Sequence, residues 1–283
     1  MPHFPIVDTH LHLWDRQRLR YAWLESVAAL NRDHGLEDYR RACGAVAVAK
    51  MVFVQCECDP LQSYEEAAWV AELASVDPRL RGIVAQAPVE RGDGVAADLE
   101  RLAGNPLVKG VRRLLQSEAD DAFCLRPDFV RGVRRLAAHG WSFDLCIFHR
   151  QLANATALVR QCPEVRFVLD HIGKPDIKRG ALDPWRAELR ALAELPNVEC
   201  KISGLVTEAD FVTWTAADLQ PYIEHVVGCF GWDRVMFGGD WPVSTQATDY
   251  PRWVATLEAA LSGCTAEEQH RLFVRNAEKF YRI

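Results

Sequence analysis

Eight short apolar, β-branched runs alternate along the chain with longer amphipathic stretches, and this alternation limits the fold more than any other feature of the sequence. The runs predict strands at Ile6–Leu13, Met51–Cys56, Arg81–Ala87, Val108–Leu114, Ser142–Phe148, Val165–Asp170, Val198–Ile202 and Val235–Gly239. Helical patterns fall between them, near Ser63–Ser75, Val95–Ala103, Pro127–His139, Gln151–Gln161, Pro184–Leu195, Ala217–Cys229 and Pro251–Leu261. A last pattern covers Ala266–Phe280, where Thr265 and Glu268 have the spacing of a capping box. Near-continuous apolar strands are buried on both faces, so the expected sheet is parallel and covered by helices. Eight such strands predict an α/β protein with a closed (β/α)8 TIM barrel, one domain over residues 1–283. A doubly wound open sheet usually needs fewer strands, and no GxGxxG follows the first one.

One segment breaks the rhythm. Residues 15–41 are long and irregular, and carry Tyr21, Trp23, Asn31, His34 and Tyr39. A loop after the first strand is expected to lie over the C-terminal mouth of the barrel, where such folds build their sites. That geometry gives meaning to polar residues at strand ends.

Four such places stand out. In Asp8-Thr9-His10-Leu11-His12, His10 and His12 are two residues apart, so on a strand both rings face one side. Two converging imidazoles make half of a divalent-metal site, although one could equally be a hydrogen-bonded core histidine. In Leu169-Asp170-His171-Ile172-Gly173-Lys174-Pro175, His171 can bond a substrate oxygen, orient a water or hinge the turn. In Phe237-Gly238-Gly239-Asp240-Trp241-Pro242, two glycines allow close approach to Asp240. That carboxylate can serve as a general base toward water or cap the turn. The fourth place is cationic: Arg112 and Arg113 end strand four, and Lys201 sits on strand seven. They can receive a carboxylate or a developing oxyanion.

Further candidates surround these. Gln55 and Glu57 alternate at the end of strand two, and His149 ends strand five after Asp144 in its body. Trp23 and Trp241 offer flat rings that stack on the C–H face of a sugar, or anchor loops. His139, His225 and His270 fall on helical patterns and are read as outer residues.

Composition narrows the partners. A net charge of −6 without a sustained basic cluster speaks against nucleic acid. The absence of a long apolar run speaks against a membrane span, and the first residues lack the pattern of a signal peptide. Nine cysteines, an odd number scattered singly apart from Cys56 and Cys58, suit a reducing cytoplasm. The sequence leaves open whether the chain forms a homo-oligomer.

The motifs Val7-Asp8-Thr9-His10-Leu11-His12, Leu169–Pro175 and Phe237–Pro242, in that order, resemble the amidohydrolase superfamily. Within it they resemble a branch of TIM-barrel hydrolases that includes lactonases acting on fuconolactone and rhamnonolactone, as does Tyr21-Ala22-Trp23-Leu24 in the first loop. The resemblance runs over nearly the whole chain. It implies that His10, His12 and Asp240 are metal ligands, that Asp240 is also the water-activating base, and that His171 is the sixth-strand histidine. The pattern departs from binuclear members, which carry a bridging Lys or Glu on strand four and a histidine inside strand five. Here Arg112, Arg113 and Asp144 occupy those strands. One divalent ion, zinc foremost, is therefore expected, and catalysis without an ion stays open.

The expected reaction is the opening of an aldonic sugar lactone by an Asp240-activated water. His171, Arg112 or an ion on His10 and His12 would stabilise the oxyanion. Trp23, Asn31, His34, Gln55, Glu57, Arg113, His149 and Trp241 would bind the hydroxyl-rich substrate. The alternative is a non-oxidative decarboxylase of an aromatic or unsaturated acid. A DNase of the same superfamily would need a strand-four carboxylate and a basic groove, and a non-catalytic barrel would not need four polar strand ends in order.

Overall fold

The computed structural model describes residues 2–283. Its eight strands form one sheet in sequence order: β1 (Ile6–Leu11), β2 (Val48–Val54), β3 (Leu80–Ala85), β4 (Val108–Val111), β5 (Ser142–Leu145), β6 (Arg166–Leu169), β7 (Val198–Ile202) and β8 (Val235–Phe237). Every neighbouring pair is parallel. The ring is completed beyond β8, where Leu11 bridges Trp241, Asp240 N donates to His10 O (2.8 Å) and His12 N donates to Trp241 O (2.8 Å). This is the expected (β/α)8 barrel.

Several strands end earlier than their apolar runs. β8 stops at Phe237 and β4 at Val111, although Gly238 N still donates to Ile202 O (3.3 Å) and Arg112 N to Ala85 O (2.8 Å), so the polar residues follow directly on the ladder. β2 starts earlier than expected, at Val48, since its polar Lys50 still pairs with Val7. The segment 15–41 is not bare loop. It contains two short 3-10 turns and a helix α1 (Leu36–Cys43), which buries Tyr39 and Cys43 while Arg40 and Arg41 stay at the surface. The capping box at Thr265 is present, but the last helical pattern is interrupted by a π turn at Arg271–Arg275.

The barrel interior is layered. Its lower part is apolar: Val7, Val52, Val54, Val84, Val168 and Met236 pack against Phe280 and Tyr281 of the terminal helix Asn276–Tyr281. Toward the mouth the filling becomes ionic, with Asp144, Asp170, Lys201 and Arg112 all buried. A core that spends its upper layer on charge must pair every member, since an isolated buried charge costs several kcal/mol. No helix among the described residues is long and apolar enough to cross a membrane.

Candidate active site

Asp8 fixes the relation between the first and last strands. Its Oδ1 accepts from His10 N (3.0 Å) and Gly239 N (2.8 Å), and its Oδ2 accepts from Tyr39 Oη (2.8 Å) and Tyr250 Oη (2.9 Å). A Cβ at Gly239 would stand 2.5 Å from Asp8 Oδ2, which is why no larger residue fits before Asp240. One buried carboxylate thus positions the backbone on both sides of the site.

Above it, three imidazoles and a carboxylate converge. His10 and His12 rings meet edge to face at 4.9 Å, and His171 lies 4.4 Å from His10 between ring centres. Asp240 Oδ1 is 3.6 Å from His12 Nε2 and 3.8 Å from His10 Nε2. His171 Nδ1 bonds Ser203 Oγ at 2.9 Å. Gly204 makes room for this packing, because a side chain there would press on His171 and stand 3.0 Å from Asp240 Oδ2.

The electrostatics divide the labour. Burial pushes the Asp240 carboxyl up, but His171, His12 and His10 outweigh it and hold it well below the usual range. Burial also drives His171 down to about 4 against the pull of Asp240, and holds His10 well below its ordinary value. The site thus sets an anion beside two rings, His10 and His171, that burial keeps from taking a proton near neutrality. A stability consequence follows. Below pH 6.5 an unfolded His171 binds a proton that the folded ring refuses until about 4. Stability is therefore lost as pH falls through that window, by about 3 kcal/mol for this residue. Denaturant unfolding at pH 7 and pH 4.5 should show the loss, and His171→Gln should reduce it.

The donor set also suits a cation. Val54 O can only accept, and His12 Nδ1 lies 2.8 Å from it, so Nδ1 carries a proton and Nε2 is the ring nitrogen turned toward Asp240. A positive centre between that nitrogen and the carboxylate, a proton or a metal ion, satisfies both. Donor separations of 3.6–3.8 Å are near the roughly 3.5 Å expected for tetrahedral ligands at zinc-like bond lengths. His10, His12 and Asp240 can hold a divalent ion. A second grouping of His10, Asp170 and His171 fits less well, since Asp170 already faces two cations.

Beneath the cluster, Lys201 Nζ pairs with Asp144 (2.6 Å) and Asp170 (3.0 Å), and Arg112 Nη1 with Asp170 (3.1 Å). Burial pushes Asp144 up to about 6 despite Lys201, whereas Lys201, His10 and Arg112 together overcome burial at Asp170 and hold it low. Arg112 Nη2 donates to Gln55 O (2.6 Å), and its buried Nε has no protein partner. A cavity of about 220 Å³ opens over the site, lined by His12, Trp23, Arg112, His171, Lys174 and Asp240 among others. Lys174 Nζ stands 3.7 Å from Glu208.

The structure thus brings His10, His12, His171 and Asp240 together, sets Arg112 beside them, and places Trp23 and Glu57 in the cavity wall. Six expected substrate contacts lie elsewhere. Asn31 lines an outer surface depression with Arg16 and Gln62. His34 is wedged between Trp14 and Trp241, whose rings lie 5.0 and 5.4 Å away, so Trp241 packs inward instead of offering a face. Gln55 is fully buried and spends its amide on Glu57: its Nε2 donates to Glu57 Oε1 (3.1 Å) and its Oε1 accepts from Glu57 N (2.6 Å). Arg113 turns outward to Glu118 (2.6 Å) and Glu90 (3.4 Å), because successive residues leaving a strand point to opposite sides. His149 bonds Lys174 O at 2.9 Å and stays outside the cavity. Among residues given no role from sequence, Lys174, Cys146 and Gln116 line the cavity, and Asp170 supports it. A conformational signal marks part of this set: Glu57, His171, Ile172, Lys174 and Asp240 all have positive φ at strand ends. Such backbone persists only where the surroundings impose it, and it gathers at functional sites.

A family model described as amidohydrolase matches residues 7–283. An L-fucono-1,5-lactonase of Burkholderia multivorans is 34% identical, over 98% of this chain and 96% of its own length. A second L-fucono-1,5-lactonase, of Burkholderia ambifaria, is 32% identical over 98% of this chain and 95% of its own. A crystal structure of a Burkholderia multivorans amidohydrolase with bound zinc superposes with a TM-score of 0.89 at 31% identity, covering 99% of this chain and all of that one.

Proposed function

Because the chain belongs to the amidohydrolase family, we propose that this hydrolase opens a 1,5-lactone of an aldonic sugar. The observation that carries the reading is the convergence of Asp240 with His10, His12 and His171 at a cavity that Arg112 and Lys174 also line. The fuconolactonase names of the relatives support the same substrate class.

In the proposed mechanism Asp240 takes a proton from water as the oxygen attacks the lactone carbonyl. The resulting oxyanion faces the fixed Arg112 guanidinium and the Lys174 ammonium. Collapse breaks the ring C–O bond, and the proton on Asp240 passes to the leaving alkoxide, giving the open acid. Arg112 is well suited because Asp170 and Gln55 O hold it while Nε keeps a free donor. Preorganised donors of this kind cost no rearrangement at the moment of reaction. Zinc is the ion proposed for His10, His12 and Asp240; when bound it would polarise oxygen and acidify water.

A pH-indicator screen of aldonolactones of both hand series, with and without chelator, tests the reading. Acid release from a 6-deoxy-L-aldonolactone is expected, and the rate after chelation should stay within tenfold because Asp240 is itself the base. Failure with every lactone, or carbon dioxide release from aromatic acids instead, would overturn it. Lys174→Met should lower kcat by about 10²–10³-fold, the usual cost of losing one oxyanion donor, with little change in thermal unfolding. A rate within threefold of wild type would remove Lys174 from the mechanism.

A further inference from the structure

A larger cavity of about 560 Å³ lies next to the catalytic one and shares Glu57, Leu114 and Ser117 with it. We infer that this outer cavity is a second substrate subsite, which receives a further sugar unit attached to the lactone. The inference rests on the lactone reading above and extends it to glycosylated aldonolactones.

Size is the first argument. At about 220 Å³ the catalytic cavity is below the usual range of ligand pockets, roughly 300–1,000 Å³, and suits one small ring. The outer cavity falls within that range and has room for a second.

Chemistry is the second. Gln86 and Glu90 line the outer cavity, and each has a buried oxygen, Oε1 and Oε2, without a protein hydrogen-bond partner. A buried acceptor left unpaired costs about 1–3 kcal/mol, so the wall favours a ligand rich in donors. Hydroxyl groups supply them. An anionic ligand is disfavoured, because each arginine on this wall already faces a carboxylate: Arg91 faces Asp98, Arg101 faces Glu65, and Arg113 faces Glu90 and Glu118.

The boundary residue is the third. Glu57 has a φ of 53°, exchanges a pair of hydrogen bonds with Gln55 and lines both cavities. A strained residue clamped at a junction is suited to accept hydroxyls from either side. Trp23, in the catalytic wall, is fixed by its Nε1 donating to Cys56 O at 2.8 Å, next to this junction.

The test compares the aldonolactone turned over fastest with the same lactone carrying one glycosyl unit, made by oxidising the reducing end of the disaccharide. The blocking variant is Ser63→Trp, whose position lines the outer cavity alone; circular dichroism checks that it folds. The extended lactone is expected to have a kcat/KM at least equal to the parent. Ser63→Trp should raise its KM at least tenfold and leave the parent within twofold. An extended lactone turned over more than tenfold worse, or equal effects of Ser63→Trp on both, would overturn the subsite. Isothermal titration with the two open-chain acids separates this from the lactone reading. If no lactone is opened but the extended acid binds tenfold tighter than the parent acid, and Ser63→Trp removes the difference, the lactone reading falls and the subsite stands. If neither lactone is opened and both acids bind alike, the subsite falls too.

Discussion

Asp240→Asn is expected to leave a folded barrel whose lactone turnover is lower by about 10²–10⁴-fold, the range general-base catalysis supplies. The exchange preserves shape and the backbone bonds that Asp240 makes to His10 and Ser244. It removes only the charge, which the three imidazoles hold ionised at neutral pH. Stability should fall as well, because the interactions that outweigh burial of this anion in the folded barrel are lost with its charge. Steady-state kinetics and thermal unfolding on the same preparation check both halves. A rate within tenfold of wild type would move the base to another group, with His171 next in reach.

Lys201→Met should produce the largest stability loss. Lys201 Nζ is fully buried between Asp144 (2.6 Å) and Asp170 (3.0 Å). Asp170 retains Arg112, but Asp144 would keep only the Tyr281 hydroxyl (3.3 Å) and Ser142. Removing one partner from a buried pair costs about 3–5 kcal/mol because the remaining charge is uncompensated. The diagnostic is the double variant. Lys201→Met with Asp144→Asn should be more stable than Lys201→Met alone, a coupling that independent sites would not show. Urea unfolding of the four proteins of the cycle gives the number directly. Additive losses would mean that the pair is not the unit holding the upper barrel layer.

The barrel was legible because its strands are buried on both faces. Val52, Phe53 and Val54, or Phe167, Val168 and Leu169, leave no alternation by which they could face water. Strand ends were less legible, since Arg112 and Asp240 keep a backbone bond to the neighbouring strand, to Ala85 O and His10 O, while their side chains are placed by partners across the barrel. The four residues that converge on the water site share a visible logic: a period of two places His10 and His12 together, and turns with glycine bring in His171 and Asp240. Of the eight expected sugar contacts, Trp23 and Glu57 reach the catalytic cavity. His34 and Trp241 are aromatic and polar enough to suit a mouth, but they pack against each other and Trp14. Nothing in one sequence distinguishes a ring that covers a ligand from one that fills a core. Lys174 is the opposite case. It sits inside a motif, yet only its left-handed backbone (φ 47°), after the turn at His171 and Ile172, carries it into the cavity wall.

The division between an ionic upper layer and an apolar base also explains why the support residues were hard to see. Asp144 and Lys201 lie on β5 and β7 and Asp170 just past the end of β6, and only the closed ring brings the Lys201 ammonium to 2.6 Å from one carboxylate and 3.0 Å from the other. From sequence alone Lys201 is a strand lysine with an undecided head. In the folded barrel it is the counter-charge that lets Asp170 stay ionised next to His10 and hold Arg112 in place.

The most direct measurement is a single turnover of a lactone by excess protein in ¹⁸O-labelled water, read by mass spectrometry of the product and of the peptide containing Asp240. The account predicts one labelled oxygen in the product carboxylate on the first turnover and none in the protein. Label appearing in the Asp240 carboxylate, with an unlabelled first product, would show that this side chain attacks the carbonyl itself and would contradict it.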